Sequence, residues 1–115
     1  MSAKNLTRHT LLGHTLLTLN KNFPRTLKHI NQFGIPEGYA LWISPCSAIY
    51  TVGMKNPVDI VFLDRDRRII KILRNFPPSC FVEADSESIG ALELPPNRLS
   101  DTNTFLGDQI KLQTD

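Results

Sequence analysis

The sequence predicts an α+β domain, small and rich in β structure, with a mostly antiparallel sheet or a partly open barrel and one main helix near the N-terminus. Short runs of β-branched and aromatic residues recur from Tyr39 onward, separated by Pro and Gly turns, as is typical of antiparallel strands. The chain has 115 residues, of which 41% are hydrophobic and 21% charged. That size and composition predict one soluble domain without a disulfide framework.

The first third of the chain contains the predicted helix. Residues 1–13 carry few apolar side chains and are predicted to form a flexible basic leader, followed by a single α+β domain over 14–115. Residues 14–20 are predicted to form the first strand. A helix is then expected from Asn22, an N-cap residue, to Gly34, a residue type that commonly ends helices.

The remaining predicted elements are mostly strands. They comprise residues 39–44, 48–53, 58–64, 68–73, 89–94 and 109–113. The strongest is 58–64, which is apolar on both faces apart from Asp59, and this pattern is typical of a central strand. Residues 79–88 are polar and acidic and are predicted to form a loop or strap, whereas a short helical turn is expected within 99–106.

Charge is distributed unevenly although the net charge is only +2. The segment before Glu37 contains basic residues and no acidic ones, giving +5, and the rest of the chain carries −3. The five basic residues are Lys4, Arg8, Lys21, Arg25 and Lys28. They are spaced and not interleaved with stacking aromatics, which argues against nucleic-acid binding. A solvated strap over an acidic body is favoured, and a contact with an anionic partner is the alternative.

Neither a membrane segment nor a cofactor is predicted. The longest apolar run, residues 60–63, is far shorter than the roughly 20 residues that span a bilayer. The N-terminus lacks the apolar region of a secretory signal, so a cytoplasmic location is expected. Cys46 and Cys80 form no CxxC pair, although they could bond if the fold brings them together, and the histidines lack metal-ligand spacing. We therefore predict no metal.

Asp59 is the principal candidate for chemistry. It interrupts an apolar strand, and a buried carboxylate needs hydrogen-bond donors, a cation or a proton. Lys55, Thr51, Tyr50 and the N–H groups of the preceding turn are the candidate partners. Two interpretations stay open: a general base or ligand-binding carboxylate, and a structural clamp on the turn at residues 54–57. The clamp is favoured.

Two further residues could contribute to a site. Alternation in residues 92–94 places Glu93 on the face opposite its leucine neighbours, which predicts an ordinary solvent-facing position. If Glu93 and Asp59 met in one cleft, repulsion would separate their pKa values and create an acid/base pair. Cys46 lies in a strand connection with no histidine near it in sequence, so a packing thiol is favoured over a nucleophile. Met54 and Trp42 are predicted to be core residues.

Several segments then occur in a characteristic order. They are residues 36–38 (Pro-Glu-Gly), 45–54 (Pro-Cys-Ser-Ala-Ile-Tyr-Thr-Val-Gly-Met), 57–66 (Pro-Val-Asp-Ile-Val-Phe-Leu-Asp-Arg-Asp), 91–95 (Ala-Leu-Glu-Leu-Pro) and 106–108 (Leu-Gly-Asp). Over roughly residues 25–112 the chain resembles the prokaryotic family called domain of unknown function 192, or uncharacterised protein family 0127. The resemblance implies a β-rich α+β domain and supplies no reaction. It draws attention to Cys46, Thr51, Met54, Asp59, Asp64 and Glu93. The chain departs from the family at Tyr50, where His is usual, and at Arg67, where Gly is usual.

Three functional hypotheses follow. The first is a binding or accessory domain with a polar cleft near Cys46, Tyr50, Thr51, Asp59 and Glu93, which would hold a small polar ligand or a peptide segment. The second is an enzyme with Asp59 as general base and Tyr50 or Glu93 as acid. The third is an interaction module that uses the basic N-terminal segment. The candidate residues for a ligand site or clamp are Cys46, Tyr50, Thr51, Met54, Lys55, Asp59, Asp64 and Glu93. The sequence indicates neither a substrate nor an oligomeric state.

Overall fold

The computed structural model describes residues 1–19 and 30–113. Its strands are β1 (Ser2–Asn5), β2 (Thr10–Gly13), β3 (Thr15–Leu19), β4 (Tyr39–Ile43), β5 (Ala48–Tyr50), β6 (Val58–Leu63), β7 (Ile69–Phe76), β8 (Phe81–Glu83), β9 (Gly90–Leu94) and β10 (Ile110–Gln113). The helices of the described residues are α1 (residues 30–33) and α2 (Arg98–Asp101).

A five-stranded sheet forms the centre of the molecule, with strand order β3-β4-β9-β6-β7. The β3–β4 pair is parallel and the other pairs are antiparallel. Both β6 and β9 are buried along their whole length. Because layers cover both faces of these strands, their side chains alternate between two cores rather than between core and solvent.

The two faces of the central sheet pack against two smaller sheets. One face, with Val61 and Leu94, shares a core with Leu12 and Ile110 of the three-stranded sheet β10-β1-β2. The opposite face, with Ile60, Phe62 and Leu41, shares a core with Ile49 and Val82 of the two-stranded sheet β5-β8. Cys46 packs against this second core, and Glu93 lies on the same face of β9 as Ala91.

The prediction of a small, mostly antiparallel β-rich fold is confirmed. The sheets of the described residues are open and do not form a closed barrel. The main N-terminal helix is not borne out: within the described ranges helix occurs only at residues 30–33 and 98–101. Residues 20–29, which make up most of the predicted helix, lie outside the described residues.

Two segments differ from the expected loops. Residues 1–13, expected as a flexible leader, contain β1 and β2, and β1 pairs with β10 from Ser2 opposite Gln113 to Asn5 opposite Ile110. Residues 79–88, expected as a loop or strap, contain β8, which pairs with β5. Among the described residues, no helix has the length and apolar character needed to cross a membrane.

Candidate functional site

The Asp59 carboxylate accepts hydrogen bonds from two separate backbone segments. Its side chain is 0% exposed, which confirms the predicted burial. The carboxylate Oδ1 accepts a hydrogen bond from the backbone N–H of Asn75 at 2.7 Å, and Oδ2 accepts one from the N–H of Leu99 at 2.8 Å. The turn at residues 54–57, expected to supply these donors, does not.

Each hydrogen bond accepted by Asp59 satisfies a backbone N–H that the β6–β7 ladder or helix α2 leaves unpaired. The β6–β7 ladder slips between Val58 and Ile60, and Asn75 has a left-handed backbone with φ 50°. A bulge of this kind leaves an N–H unpaired, and Asp59 accepts it. Leu99 lies in the first turn of α2, whose N-cap residue makes no side-chain capping bond, so Asp59 caps that helix from a distance.

Asp59 and Glu93 do not form an acid/base pair. In the β6–β9 register Asp59 is opposite Leu94, and Glu93 is opposite Ile60. Cross-strand neighbours share a face and successive residues alternate, so the two carboxyl groups lie on opposite faces of the sheet. The version of the enzymatic hypothesis that pairs Asp59 with Glu93 therefore lacks the required geometry.

Two other candidates, Thr51 and Asp64, also form hydrogen bonds to the backbone. The hydroxyl of Thr51, which is buried, donates to the carbonyl of Pro77 at 2.7 Å and accepts the N–H of Cys80 at 2.8 Å. Asp64 Oδ1 accepts backbone N–H groups from Asp66 at 2.9 Å and Arg68 at 3.0 Å, which closes the β6–β7 hairpin.

Lys55 contributes its backbone rather than its side chain. Its N–H donates to the carbonyl of Asn31 at 3.0 Å, and its side chain is exposed. In the β6–β7 hairpin Arg67, at a position where the resembled family usually has Gly, adopts φ 63° and places its guanidinium 5.0 Å from the centroid of the Trp42 ring. The positive φ explains why Gly suits this position.

Glu93 is buried, contrary to the solvent-facing position predicted for it. Its side chain is 6% exposed and lines a cavity of about 150 Å³, here called the Glu93 pocket. The other lining residues are Leu19, Ile30, Asn31, Leu41, Ile43, Cys46, Ala48, Ile49, Tyr50 and Met54. The alternation of residues 92–94 was read correctly, but the opposite face is a second core.

The Glu93 carboxyl is electrostatically unusual. Burial raises its pKa to about 7. Within residues 1–19 and 30–113 no group donates a hydrogen bond to it, and no cation offsets the burial. Folded proteins satisfy most buried polar groups, so an unpaired carboxyl facing a cavity is a candidate point of ligand contact.

Cys46 lies between two cavities. Its thiol donates to the carbonyl of Ala48 at 3.3 Å. The pKa of the thiol is raised, chiefly by burial and also by the negative charge of Glu93. A raised pKa disfavours the thiolate, which agrees with the predicted packing role. Cys46 and Cys80 are both free thiols.

The second cavity, here called the outer cleft, has a volume of about 520 Å³. It is lined by Pro45, Cys46, Ser47, Ala84, Asp85, Ser86, Ser88 and Ile89. Cys46 lines both cavities, and Asp85 is the charged residue of the outer cleft. The outer cleft therefore presents serine and aspartate side chains next to the Glu93 pocket.

Tyr50 supplies an aromatic wall to the Glu93 pocket. Its ring lies 4.6 Å from that of Phe81, centroid to centroid, across the β5–β8 pair. Tyr50 is 67% exposed, and Met54, also in the pocket wall, is 8% exposed. Trp42 is 7% exposed, so the core positions predicted for Met54 and Trp42 are confirmed.

The basic N-terminal segment is only partly described. Lys4 is exposed on β1. Arg8 forms an ion pair with the buried Asp108 at 3.0 Å and lies over the Phe105 ring. Arg8 and Asn5, which both hydrogen-bond to it, lower the pKa of Asp108 although burial opposes them. Lys21, Arg25 and Lys28 lie outside the described residues, so the interaction-module hypothesis stays a prediction.

Sequence reasoning missed two residues of this region. Asn31 lines the Glu93 pocket beside Ile30, and Asn75 supplies a donor to Asp59. Nothing in the sequence near Asn31 marks it as a pocket residue. Asn75 carried a weak signal, because Asn is among the residues that most readily adopt a positive φ.

Most of the chain matches one protein family. Residues 30–112 match the model of the DUF192 family, described as "Uncharacterized ACR". The match covers most of the chain, which therefore belongs to the family of domain of unknown function 192, as its motifs predicted. No curated protein matches the chain.

Two crystal structures share the fold. A protein of unknown function from Novosphingobium aromaticivorans DSM 12444 is similar at a TM-score of 0.66 and 16% identity, over 87% of this chain and 75% of that one. A candidate transcription regulator from Sinorhizobium meliloti 1021 is similar at a TM-score of 0.64 and 14% identity, over 84% of this chain and 78% of that one. At these identities the likeness establishes the fold alone.

Proposed function

We propose that the chain is a small binding domain that holds its ligand in the Glu93 pocket. The observation that carries this proposal is the Glu93 carboxyl, 6% exposed, facing the pocket and without a hydrogen-bond donor among the described residues. A buried carboxyl without a protein donor has unused hydrogen-bond acceptors. A ligand that donates to Glu93 would use them.

The size and walls of the pocket describe the ligand. An engineered apolar cavity of roughly 150 Å³ in another protein accepts benzene, so a cavity of this volume suits about six non-hydrogen atoms. Most of the wall is aliphatic, from residues such as Leu41, Ile43 and Ile49. The ligand is therefore a small molecule, or one side chain of a peptide, that joins an apolar body to a hydrogen-bond donor.

The catalytic hypothesis has weaker support than the binding hypothesis. Both oxygens of Asp59 are occupied by backbone donors, and the side chain is 0% exposed. A general base must reach the proton that it abstracts. Asp59 lines none of the cavities that contain Glu93 or Cys46.

A matched pair of leucine substitutions tests the proposal. Fragments of about six non-hydrogen atoms, with and without a donor group, are measured by ligand-observed NMR and calorimetry. Ala48→Leu fills the Glu93 pocket and should abolish binding, whereas Ala84→Leu, in the outer cleft only, should preserve it. Failure of every fragment to bind the unmodified protein, or loss of binding in Ala84→Leu alone, would refute the proposal.

A further inference from the structure

We infer that the Glu93 pocket selects an unbranched aliphatic primary ammonium ion, with the ammonium against the Glu93 carboxylate and the alkyl chain along the aliphatic walls. This inference rests on the proposed function and names the class of its ligand. It follows from the charge, the polar groups and the volume of the pocket.

The charged residues in the described linings of the two cavities favour a cation. Glu93 is the charged residue in the described lining of the pocket, where no Lys, Arg or His is present. Asp85 is its counterpart in the adjoining outer cleft. An anion would therefore meet only like charge in these linings, whereas a cation would be attracted at both positions.

A cation also satisfies Glu93 better than a neutral donor. With a pKa of about 7, roughly half of the Glu93 carboxyls in the empty pocket are ionised at neutral pH. An ammonium ion stabilises the ionised form and makes a charge-assisted hydrogen bond, which is about twice as strong as a neutral one. The low effective dielectric of a buried site strengthens this attraction.

The remaining polar groups suit a primary ammonium. It carries three N–H donors, and Glu93 can accept one or two of them. Asn31 lines the same pocket and offers an amide oxygen, and the Tyr50 ring offers an aromatic face of the kind that attracts cations. A quaternary ammonium would lack the donors that Glu93 requires.

The volume of the Glu93 pocket limits the length of the ligand's alkyl chain. About six non-hydrogen atoms correspond to one nitrogen and four or five carbons. The alkyl chain would contact Leu41, Ile43 and Ile49. Each added methylene should raise the affinity about fourfold until the pocket is full, because the free energy of burying one CH₂ group corresponds to about a fourfold change in a binding constant.

Binding should depend on the protonation of Glu93. The groups facing it are apolar on β4 (Leu41, Ile43) and β6 (Ile60), and Cys46 and Tyr50 are the other titratable groups in the described lining. An alkylammonium keeps its proton between pH 6 and pH 8, with a pKa of about 10. The affinity should therefore rise about tenfold from pH 6 to pH 8 as Glu93 ionises, since its unliganded pKa is about 7.

The test is calorimetric titration of the full chain with propyl-, butyl-, pentyl- and hexylammonium chloride, with 1-pentanol as the neutral comparison, at pH 6 and pH 8. We expect the strongest binding for butyl- or pentylammonium and weaker binding for pentanol. Glu93→Gln should lose at least tenfold in ammonium affinity and all of its pH dependence while still binding pentanol. Glu87→Gln, an exposed matched control, should bind as the unmodified protein does.

The outcomes separate this inference from the proposed function. If pentanol binds at least as well as pentylammonium, the ammonium inference is wrong and the binding proposal stands. If no fragment binds, both fail. A flat affinity between pH 6 and pH 8 overturns the inference without recourse to any variant. Nα-acetyl-lysine-N-methylamide tests whether the ammonium belongs to a lysine side chain or to a free amine. Binding as tight as that of butylammonium indicates a lysine side chain. Much weaker binding indicates a free amine.

Discussion

At the scale of single residues, two carboxyl groups on neighbouring central strands have opposite environments. Asp59 on β6 accepts two short backbone hydrogen bonds, whereas Glu93 on β9 accepts none from the described residues. Both are almost fully buried. Burial alone therefore does not assign a role to a carboxyl group, and the donors that reach it do.

Replacing Asp59 with Asn should destabilise the fold. An amide offers one acceptor oxygen in place of two, so either the Asn75 or the Leu99 N–H would face an NH₂ group. We expect the free energy of unfolding to fall by about 1–3 kcal/mol. Urea denaturation followed by circular dichroism measures the change.

Asp66→Asn is the matched control, because Asp66 is exposed and its carboxylate makes no hydrogen bond within the described residues. It should leave the stability within about 0.5 kcal/mol of the parent. Equal stability of the Asp59 and Asp66 variants would exclude the clamp.

Glu93 should make the stability depend on pH. Its folded pKa, about 7, exceeds the ordinary value of 4.5, so the folded state holds the proton more tightly than the unfolded state. The stability that this proton provides is complete below about pH 4.5 and is lost as pH rises towards 7. Glu93→Gln stays neutral and should escape this loss.

Urea denaturation at pH 5 and pH 8 checks this expectation. The stability difference between Glu93→Gln and the parent should move in favour of the variant by about 2–3 kcal/mol between these pH values. Glu87→Gln, at an exposed site, should show no such trend. A pH-independent difference for Glu93→Gln would mean that Glu93 ionises normally.

At the scale of elements, the sequence predicted the central strands well. The strands at 39–44, 58–64 and 89–94 were each placed within one residue, because they are apolar and bounded by Pro, Gly or Asp. The same burial misled the interpretation of Glu93. Alternation identifies two faces but does not say whether the second face meets water or another layer.

The missed strands have a different physical origin. β1 reads Ser-Ala-Lys-Asn, and its buried positions are a small alanine and an asparagine. Asn5 is buried because it donates to Thr104 at 3.1 Å and to Asp108 at 3.0 Å, partners about a hundred residues away. Because these hydrogen-bond partners are distant in sequence, the residues of β1 show no pattern typical of a strand. The sequence of such a polar strand therefore resembles that of a loop.

The end of β5 supplies a test at this scale. Thr51→Val keeps the shape but removes the donor to Pro77 and the acceptor for the Cys80 N–H. We expect a loss of about 1–3 kcal/mol, concentrated in faster amide hydrogen exchange of β5 and β8. Thr18→Val on β3 is the control, since Thr18 is exposed. Equal amide hydrogen exchange in the two variants would show that the Thr51 hydrogen bonds do not stabilise the pairing of β5 with β8.

At the scale of the whole molecule, the N-terminal strands close one side of the fold. β1 lies between β2 and β10, and Ala3 and Leu12 are fully buried in the core that contains Val61. The family match begins at residue 30, so these strands precede the matched segment. They cover one face of the central sheet.

Deleting residues 1–13 should therefore expose that core. We expect a loss of several kcal/mol or failure to fold, because Leu12 alone is worth about 2–5 kcal/mol by comparison with buried leucine truncations. Leu12→Ala gives the same information if the truncated chain is insoluble. Leu11→Ala, at the exposed neighbour, is the control. A truncated chain with unchanged stability would restore the flexible-leader interpretation.

The candidate site was half predictable at this scale. Four of the eight proposed residues, Cys46, Tyr50, Met54 and Glu93, line one pocket. Thr51, Asp59 and Asp64 hold turns and bulges instead, and their roles depend on donors that only the tertiary structure supplies. The motif positions shared with the family include members of both groups, so the motif did not separate pocket residues from residues that bond to the backbone.

The two-stranded sheet β5-β8 has an evolutionary consequence. It pairs with no strand of the five-stranded sheet, yet Ala48, Ile49 and Tyr50 of β5 form part of the wall opposite the carboxyl on β9. Changes in this ribbon can reshape the wall while the register of β4, β9 and β6 stays intact. Under the proposed function, substitutions at three adjacent positions of β5 would change which ligand fits the pocket while Glu93 is retained.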